Sequence, residues 1–528
     1  QMFDKVMFNL FIYRAFLSFL SVHLSKMLEL VIYIFTSILA LLLSYLLYER
    51  VTSKTNHIPQ PWSWPFLKHY PYFVEKDHVK LYADFAEPFR KAGKEFFRVN
   101  NLSLPEQVVL LNPEHPKLVL GRPDLFVRSR ALNDVIPFFE HGLLNVRGDQ
   151  HRRQKKLLSQ AFTPAMLSKY LAASNKVGND KIQKWHDLAK QHTDDTIHAP
   201  AALIDVLADY TDIAFTVASK SLVYMPEQDY QEFTKALLGV TDLLKDGTFW
   251  KVLFAKIPFV KYLPFGTDGA RQKSIKMIDT SIRKVIEKKR QMIINSEEGS
   301  DDNDLVGICI RGQLDQSKID ETPLTDLEIR DNLVTFLIGA FDTTSSCLTW
   351  TTYAIAKHPD IQKKLREEIN QVVEDFDNVT YTDIANLKYL DMVIKESLRY
   401  YNASIRVGRL AAQDCHIGDT WIPKGQMIKT VFSLFHMNEK TFPEPEKFDP
   451  ERFREPVKIG SWLAFGYGPY SCIGKKFALN EIKTVLVKVV ANFQLSLKNE
   501  PKLNRRIKVG LFNEEPIHVL IQPTKRQE

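Results

Sequence analysis

The stretch from Thr325 to His358 constrains this chain most. Apolar residues recur at helical spacing along it, Thr325 with Glu328 three residues on forms a capping box, and His358-Pro359 supplies the stop. About 33 residues at 1.5 Å each make a helix of roughly 50 Å, long enough to cross a whole domain. A chain of 528 residues can build a domain of that diameter. Inside the helix sits Gly339-Ala340-Phe341-Asp342-Thr343-Thr344. Glycine and paired threonines lower helix propensity, and Asp342 sets a carboxylate among apolar neighbours. Taken alone, the segment fits a packing glycine followed by threonines bonded to their own carbonyls equally well.

Between about residues 78 and 500 helical patterning dominates, and strand-like runs are short: Gln107–Leu111, Ile405–Leu410 and Ile517–Gln522. The expected fold class is therefore mainly α with a small β-sheet. The acidic run Ser296–Asp304 is the best internal loop. Cys309, Cys347, Cys415 and Cys472 stand too far apart for a zinc site or a disulfide framework, which points to a reducing compartment. The net charge of +7, from 70 basic and 63 acidic residues, is too dilute for nucleic-acid binding. Residues 30–48 carry no formal charge, and as a helix of about 28 Å they suit a membrane span. Arg50, Lys54 and Lys68 follow it, which places the C-terminal bulk in the cytosol. Met27 is a candidate natural start, and the prolines of residues 57–71 read as a stiff hinge. The expected organisation is an anchor region at 1–55 and a catalytic domain at 56–528.

Near the C-terminus lies Phe465-Gly466-Tyr467-Gly468-Pro469-Tyr470-Ser471-Cys472-Ile473-Gly474, followed by a helical pattern from Lys475. Glycines let the backbone turn tightly round a sulfur, and a helix N-terminus just after Cys472 favours the thiolate that a metal requires. A lone cysteine is usually an inert small hydrophobe. With this chain's composition, however, FxxGxxxCxG should arise by chance only about 4 × 10⁻⁴ times.

With these residues in view, the chain resembles the cytochrome P-450 family over roughly residues 56–525. Phe465–Gly474 is similar to its heme-binding loop, with Cys472 in the place of the axial metal ligand. Glu396-Ser397-Leu398-Arg399 resembles the ExxR helix, Pro450-Glu451-Arg452-Phe453 the PERF segment, and Gly339–Thr344 the oxygen-activating segment. The resemblance implies a cytochrome P-450 fold holding heme b (iron protoporphyrin IX) between the long helix and the cysteine loop. It implies Asp342 and Thr343 as the proton-delivering catalytic pair. Cofactor contacts fall on Phe465, Gly468, Tyr470, Gly474, Arg406, His151, Lys155 and Ala340. Glu396, Arg399 and Arg452 form a structural triad that holds the heme loop.

Some positions depart from the family pattern. Tyr470 stands where Arg or His usually binds a heme propionate, and His151 and Lys155 replace Trp and Arg. Ala340 replaces a glycine, and Asn402 the proline common after ExxR. The implied activity is a monooxygenase inserting one oxygen atom of O2 into a lipophilic substrate. No dinucleotide or flavin motif occurs, so NADPH serves indirectly through a separate cytochrome reductase, with cytochrome b5 as an optional second donor. Arg152, Arg153, Lys155, Lys156, Lys475 and Lys476 are the candidate basic face for that acidic partner. The implied location is the endoplasmic reticulum membrane, with a single-pass anchor. The same loop also suits an isomerase or dehydratase that needs no external O2, or a non-enzymatic heme sensor. The expected pocket draws on Val127–Asn145, Leu222–Phe265, Val334–Phe341, Ala403–Val407 and a turn near Leu511.

Overall fold

The long helix forms as one unbroken element. In the computed structural model it runs Asp326–Lys357 (α4 below), about 48 Å of helix, and Thr325 and Glu328 close the capping box on each other's backbone N–H groups. The model describes residues 51–65, 67–75, 77–100, 106–129, 139–194, 199–223, 225–241, 268–295, 304–314 and 322–524, with scattered residues before 49. Most of the Ser296–Asp304 run, and 130–138, 224 and 242–265 of the expected pocket segments, lie outside the described residues.

The principal helices are α1 (Gly148–Leu158), α2 (Pro164–Gln191), α3 (Val206–Ala218), α4, α5 (Lys388–Tyr400) and α6 (Lys475–Asn492). α4 packs along α3, α5 and α6, and every residue from Thr344 to Ala356, round its whole circumference, is buried. A helix buried on all sides tolerates polar residues only where they find partners. Tyr210 of α3 and Thr352 of α4 meet at 2.8 Å for that reason.

Strands are short and few. β1 (Phe96–Val99), β2 (Gln107–Leu110), β3 (Phe126–Arg128), β5 (Arg406–Ala411) and β6 (Met427–Val431) form one sheet in the order β1-β2-β6-β5-β3, antiparallel except for β2 with β6. β4 (Ala202–Asp205), β7 (Phe493–Ser496) and β10 (His518–Pro523) form a second sheet, with β10 central. β8 (Arg505–Ile507) and β9 (Leu511–Asn513) make a hairpin. The three strand-like runs of the sequence thus become β2, β5 and β10, each shifted by at most one residue at either end. Mainly α with small sheets is the observed class, as expected.

Two units separate by their internal contacts. One comprises 1–58 with 63–67, and the other 59–62 with 68–528. In the first, every described residue of 30–48 is helical, while Ile38, Leu41, Leu42 and Leu46 lie outside the described residues. Among the described residues no helix is long and apolar enough to cross a membrane.

Candidate active site

The cysteine loop is fixed from below. The Cys472 N–H donates to Phe465 O at 2.9 Å, the Ser471 N–H to Gly468 O at 3.0 Å and the Gly466 N–H to Leu463 O at 2.8 Å. Gly468 has φ +73°, and a Cβ there would run into the Leu120 carbonyl, with Gly121 Cα 3.1 Å away. Only glycine lets the loop lie this close to the neighbouring helix. Gly474 then caps α6, and Ala478 N–H donates to its carbonyl at 2.9 Å.

Beneath the loop, Arg399 grips Glu396 with two bonds of 2.7 and 2.8 Å, both side chains fully buried. Arg452 Nε stands 3.5 Å from the same carboxylate, and Asp449 N–H donates to it at 2.8 Å. The triad read from the motifs therefore closes. Burial pushes the Glu396 carboxyl upward, and the Arg399 fork opposes it. Arg399 also donates to His436 O at 2.9 Å, and His436 Nε2 accepts the Leu463 N–H at 2.8 Å. Burial and the Arg399 charge pull His436 down to about 3, so its ring is neutral and its proton sits on Nδ1. Asn402 lies 2.9 Å from that nitrogen with φ +58°. Proline is locked near −65°, so the family's usual proline does not fit this backbone. With its oxygen turned to Nδ1, the Asn402 carboxamide completes a strut from α5 to the loop.

Above the loop lies a cavity of about 520 Å³, within the range of small-molecule sites. Cys472 lies deep in the protein, yet it is exposed because it opens onto this cavity. Burial raises its thiol, while the Gly474 N–H, Lys155 and Lys475 pull it back. Gly339, Ala340 and Thr343 of α4 line the opposite wall. A Cβ on Gly339 would meet nothing within 4 Å, so this glycine leaves open space and is not a packing contact. Thr343 Oγ1 donates to Gly339 O at 2.7 Å, the back-bond expected of a mid-helix threonine. Asp342 is not part of the wall. Its Oδ2 accepts the Gly510 N–H at 2.5 Å.

At the sheet end the cavity is lined by Arg128, His151, Lys155, Arg406, Arg409 and Lys429, and no carboxylate is among the described lining residues. Arg128 and Arg409 are register partners on β3 and β5. Like charges directly opposite on a sheet repel. The Tyr470 ring lies beside both, 4.5 Å from the Arg128 guanidinium and 5.1 Å from that of Arg409, with His151 tilted against it at 4.3 Å. Burial lowers Arg128 to about 9, with Arg409 adding to the effect, and burial lowers Arg409 to about 10. His151 is pulled to about 3 by burial and by Arg128, Lys155 and Arg409.

The site residues read from the sequence are thus largely brought together, with corrections of placement. Phe465, Gly474, Arg406, His151 and Ala340 line the cavity with Cys472, and Gly468 braces the loop behind it. Lys155 Nζ bonds Pro469 O at 2.6 Å and reaches Ser471 O at 3.5 Å, so it ties α1 to the loop. Tyr470 organises Arg128 and Arg409, which sequence reasoning missed. The available signal was an arginine beside apolar residues in each of the two strands, Arg128 in β3 and Arg409, three residues after Arg406, in β5. Of the candidate basic face, Arg152, Lys156, Lys475 and Lys476 are exposed. Arg153 turns inward to Glu328 and Lys155 to the loop, so these two leave that face.

Residues 59–521 match the family model described as Cytochrome P450. Among curated proteins, Cytochrome P450 4d1 of Drosophila melanogaster is 29% identical over 476 residues, 86% of this chain and 90% of the relative. Cytochrome P450 3A11 of Mus musculus is 28% identical over 503 residues, 92% of this chain and 95% of the relative. Cytochrome P450 3A31 of Mesocricetus auratus is 38% identical over 216 residues, 40% of this chain and 43% of the relative.

Proposed function

From the premise that the chain belongs to the cytochrome P450 family of heme-dependent monooxygenases, we propose that it inserts one oxygen atom of O2 into a lipophilic organic substrate. Electrons come from NADPH through a separate reductase. The carrying observation is the Cys472 thiol opening into a cavity whose opposite wall is Gly339, Ala340 and Thr343.

Heme b is the family's cofactor, and the residues present fit it. The loop presents one sulfur with its backbone folded away from the cavity, and the far end gathers cations with no carboxylate among the described lining residues, as a group with two carboxylates requires. Bound there, a thiolate-ligated heme supplies O2 activation. Cys472 is its ligand, while Phe465, Gly468 and Gly474 shape the loop. Arg406, Arg128, Arg409 and the neutral His151 hold the carboxylates, with Tyr470 orienting the two strand arginines. Gly339 leaves open space on the wall it shares with Ala340. The Thr343 hydroxyl donates to Gly339 O, so its oxygen would remain to accept from water and pass protons into the cavity, and Asp342, next in sequence but turned to the Gly510 N–H, would support that relay from behind the wall. Phe336, Leu222, Leu143 and Val509 make the remaining wall apolar, which supports a lipophilic substrate.

Residues 1–55 serve as the anchor region, with the span at 30–48, and 56–528 as the catalytic domain on the cytosolic face of the endoplasmic reticulum. The uncharged run and the basic residues that follow it support this. Arg152, Lys156, Lys475 and Lys476 offer the reductase its basic face.

The full chain in detergent, reduced with dithionite and exposed to carbon monoxide, should give the strongly red-shifted Soret band of thiolate ligation. Cys472→Ser should lose it. A band typical of histidine ligation would overturn the assignment, and product formation without O2 and NADPH would overturn the monooxygenase reading.

A further inference from the structure

Three α4 side chains spaced four residues apart, Asp342, Ser346 and Trp350, share a face beside the cavity wall and all hold the turn between β8 and β9. Asp342 Oδ2 accepts the Gly510 N–H at 2.5 Å. Ser346 Oγ donates to Leu511 O at 2.6 Å, and Trp350 Nε1 to the same carbonyl at 2.9 Å. On the other side the Leu511 N–H donates to Ala403 O at 2.8 Å. There is no slack in this contact, since a Cβ on Gly510 would come 2.7 Å from Asp342 O and 3.2 Å from Ser346 Cβ. Val509, next to Gly510, lines the cavity. The turn is thus held at Leu511 by neutral groups and at Gly510 by one carboxylate, and the side chain carried into the cavity sits beside the carboxylate-held end.

We propose that Asp342 is a positioning residue for Val509: it pins the hairpin turn, fixes the far wall of the cavity and so sets the length of substrate admitted. This rests on the heme reading above and adds to the role given there to Asp342. Asparagine keeps an acceptor for the Gly510 N–H, whereas alanine removes it, so the two substitutions separate pinning from proton delivery.

The test is a series of 1-alkylimidazoles from methyl to dodecyl, titrated into the heme-loaded full chain and read by the Soret shift on iron ligation. Asp342→Ala should leave methyl binding unchanged and tighten the longest chains by about tenfold, the scale of one lost hydrogen bond to a charged group. Val509→Ala and Gly510→Ala should reproduce that shift, and Asp342→Asn should keep the parent profile. Coincidence of all variants with the parent at every length, or an equal shift in Asp342→Asn and Asp342→Ala, overturns the pin. Should Asp342→Ala fail to accumulate, amide exchange of residues 505–513 decides between Gly510→Ala and Asp342→Asn, with acceleration expected only in the former. The carbon monoxide band of each variant reports the heme reading separately.

Discussion

Below Cys472 the buried charges pair with one another, whereas the two strand arginines at the sheet end of the cavity are met, among the described residues, by neutral groups. Glu396 faces Arg399 and Arg452, and the remaining guanidinium bonds go to carbonyls of His436, Pro443, Glu444 and Lys447. At the other end Arg128 and Arg409 face each other across a strand pair with a tyrosine beside both, and no carboxylate is among the described lining residues. Arg128 donates to Leu143 O at 2.6 Å and Tyr470 O at 3.4 Å, and Arg409 to Gly408 O at 2.9 Å, so neutral groups meet two like charges that repel. The first region is neutralised as protein, and the second is suited to an anion.

Removing a charge should therefore have different consequences at the two ends. Glu396→Ala leaves Arg399, fully buried, without its counter-ion, and a broken buried pair costs about 3–5 kcal/mol. The expected result is a collapse in holoprotein yield and a much lower urea midpoint. An intact midpoint would break the comparison at its stronger side. Arg128→Ala, by contrast, gives up bonds to Leu143 O and Tyr470 O but relieves repulsion with Arg409, and it removes a contact to the anion. Its urea midpoint should stay near the parent's, while heme transfer to an excess of apomyoglobin should accelerate by about 10- to 100-fold, the worth of one charged hydrogen bond of about 1.5–3 kcal/mol. Retention of the thiolate carbon monoxide band would show that the sulfur side is untouched. Unchanged heme release would mean that the strand arginines do not hold the cofactor.

The two ends also differed in how much the sequence disclosed. The cysteine loop, the ExxR pair and the long helix are written in short spacings, because a sulfur wrapped by glycines, an i,i+3 ion pair and a capping box are local constructions. Arg128 and Arg409 meet only through the register of two strands distant in the chain, and no local pattern specifies a register. Asp342 shows the same limit on one helix. Its neighbour Thr343 lies about 100° round the axis, so one residue faces the cavity and the other the hairpin, and the partner Gly510 becomes apparent only when the turn is in place. Asn402 looked like a defect in a motif until its φ of +58° and its bond to His436 gave it a reason.

His436 supplies the finest separation of the two ends, because it titrates. Its folded value is about 3, against an ordinary histidine value near 6.5 in the unfolded chain. Above pH 6.5 both states are neutral and the group contributes no pH dependence. Between about 6.5 and 3 the unfolded chain binds a proton that the folded chain refuses, so stability falls as pH falls, by about 1.4 kcal/mol per pH unit. His151, likewise lowered to about 3, should add a second proton to the same slope. His436→Asn keeps a polar partner for the Leu463 N–H and does not titrate, so urea midpoints taken from pH 7 to pH 5 should lose one proton's worth of slope while keeping the contributions of His151 and of His69, His115 and His358, which burial also lowers. An unchanged slope would mean that the strut under the loop does not depend on a neutral imidazole. A His151→Asn variant that lost no slope would mean that His151 is already protonated in the folded state and that the sheet end carries more positive charge than its geometry assigns.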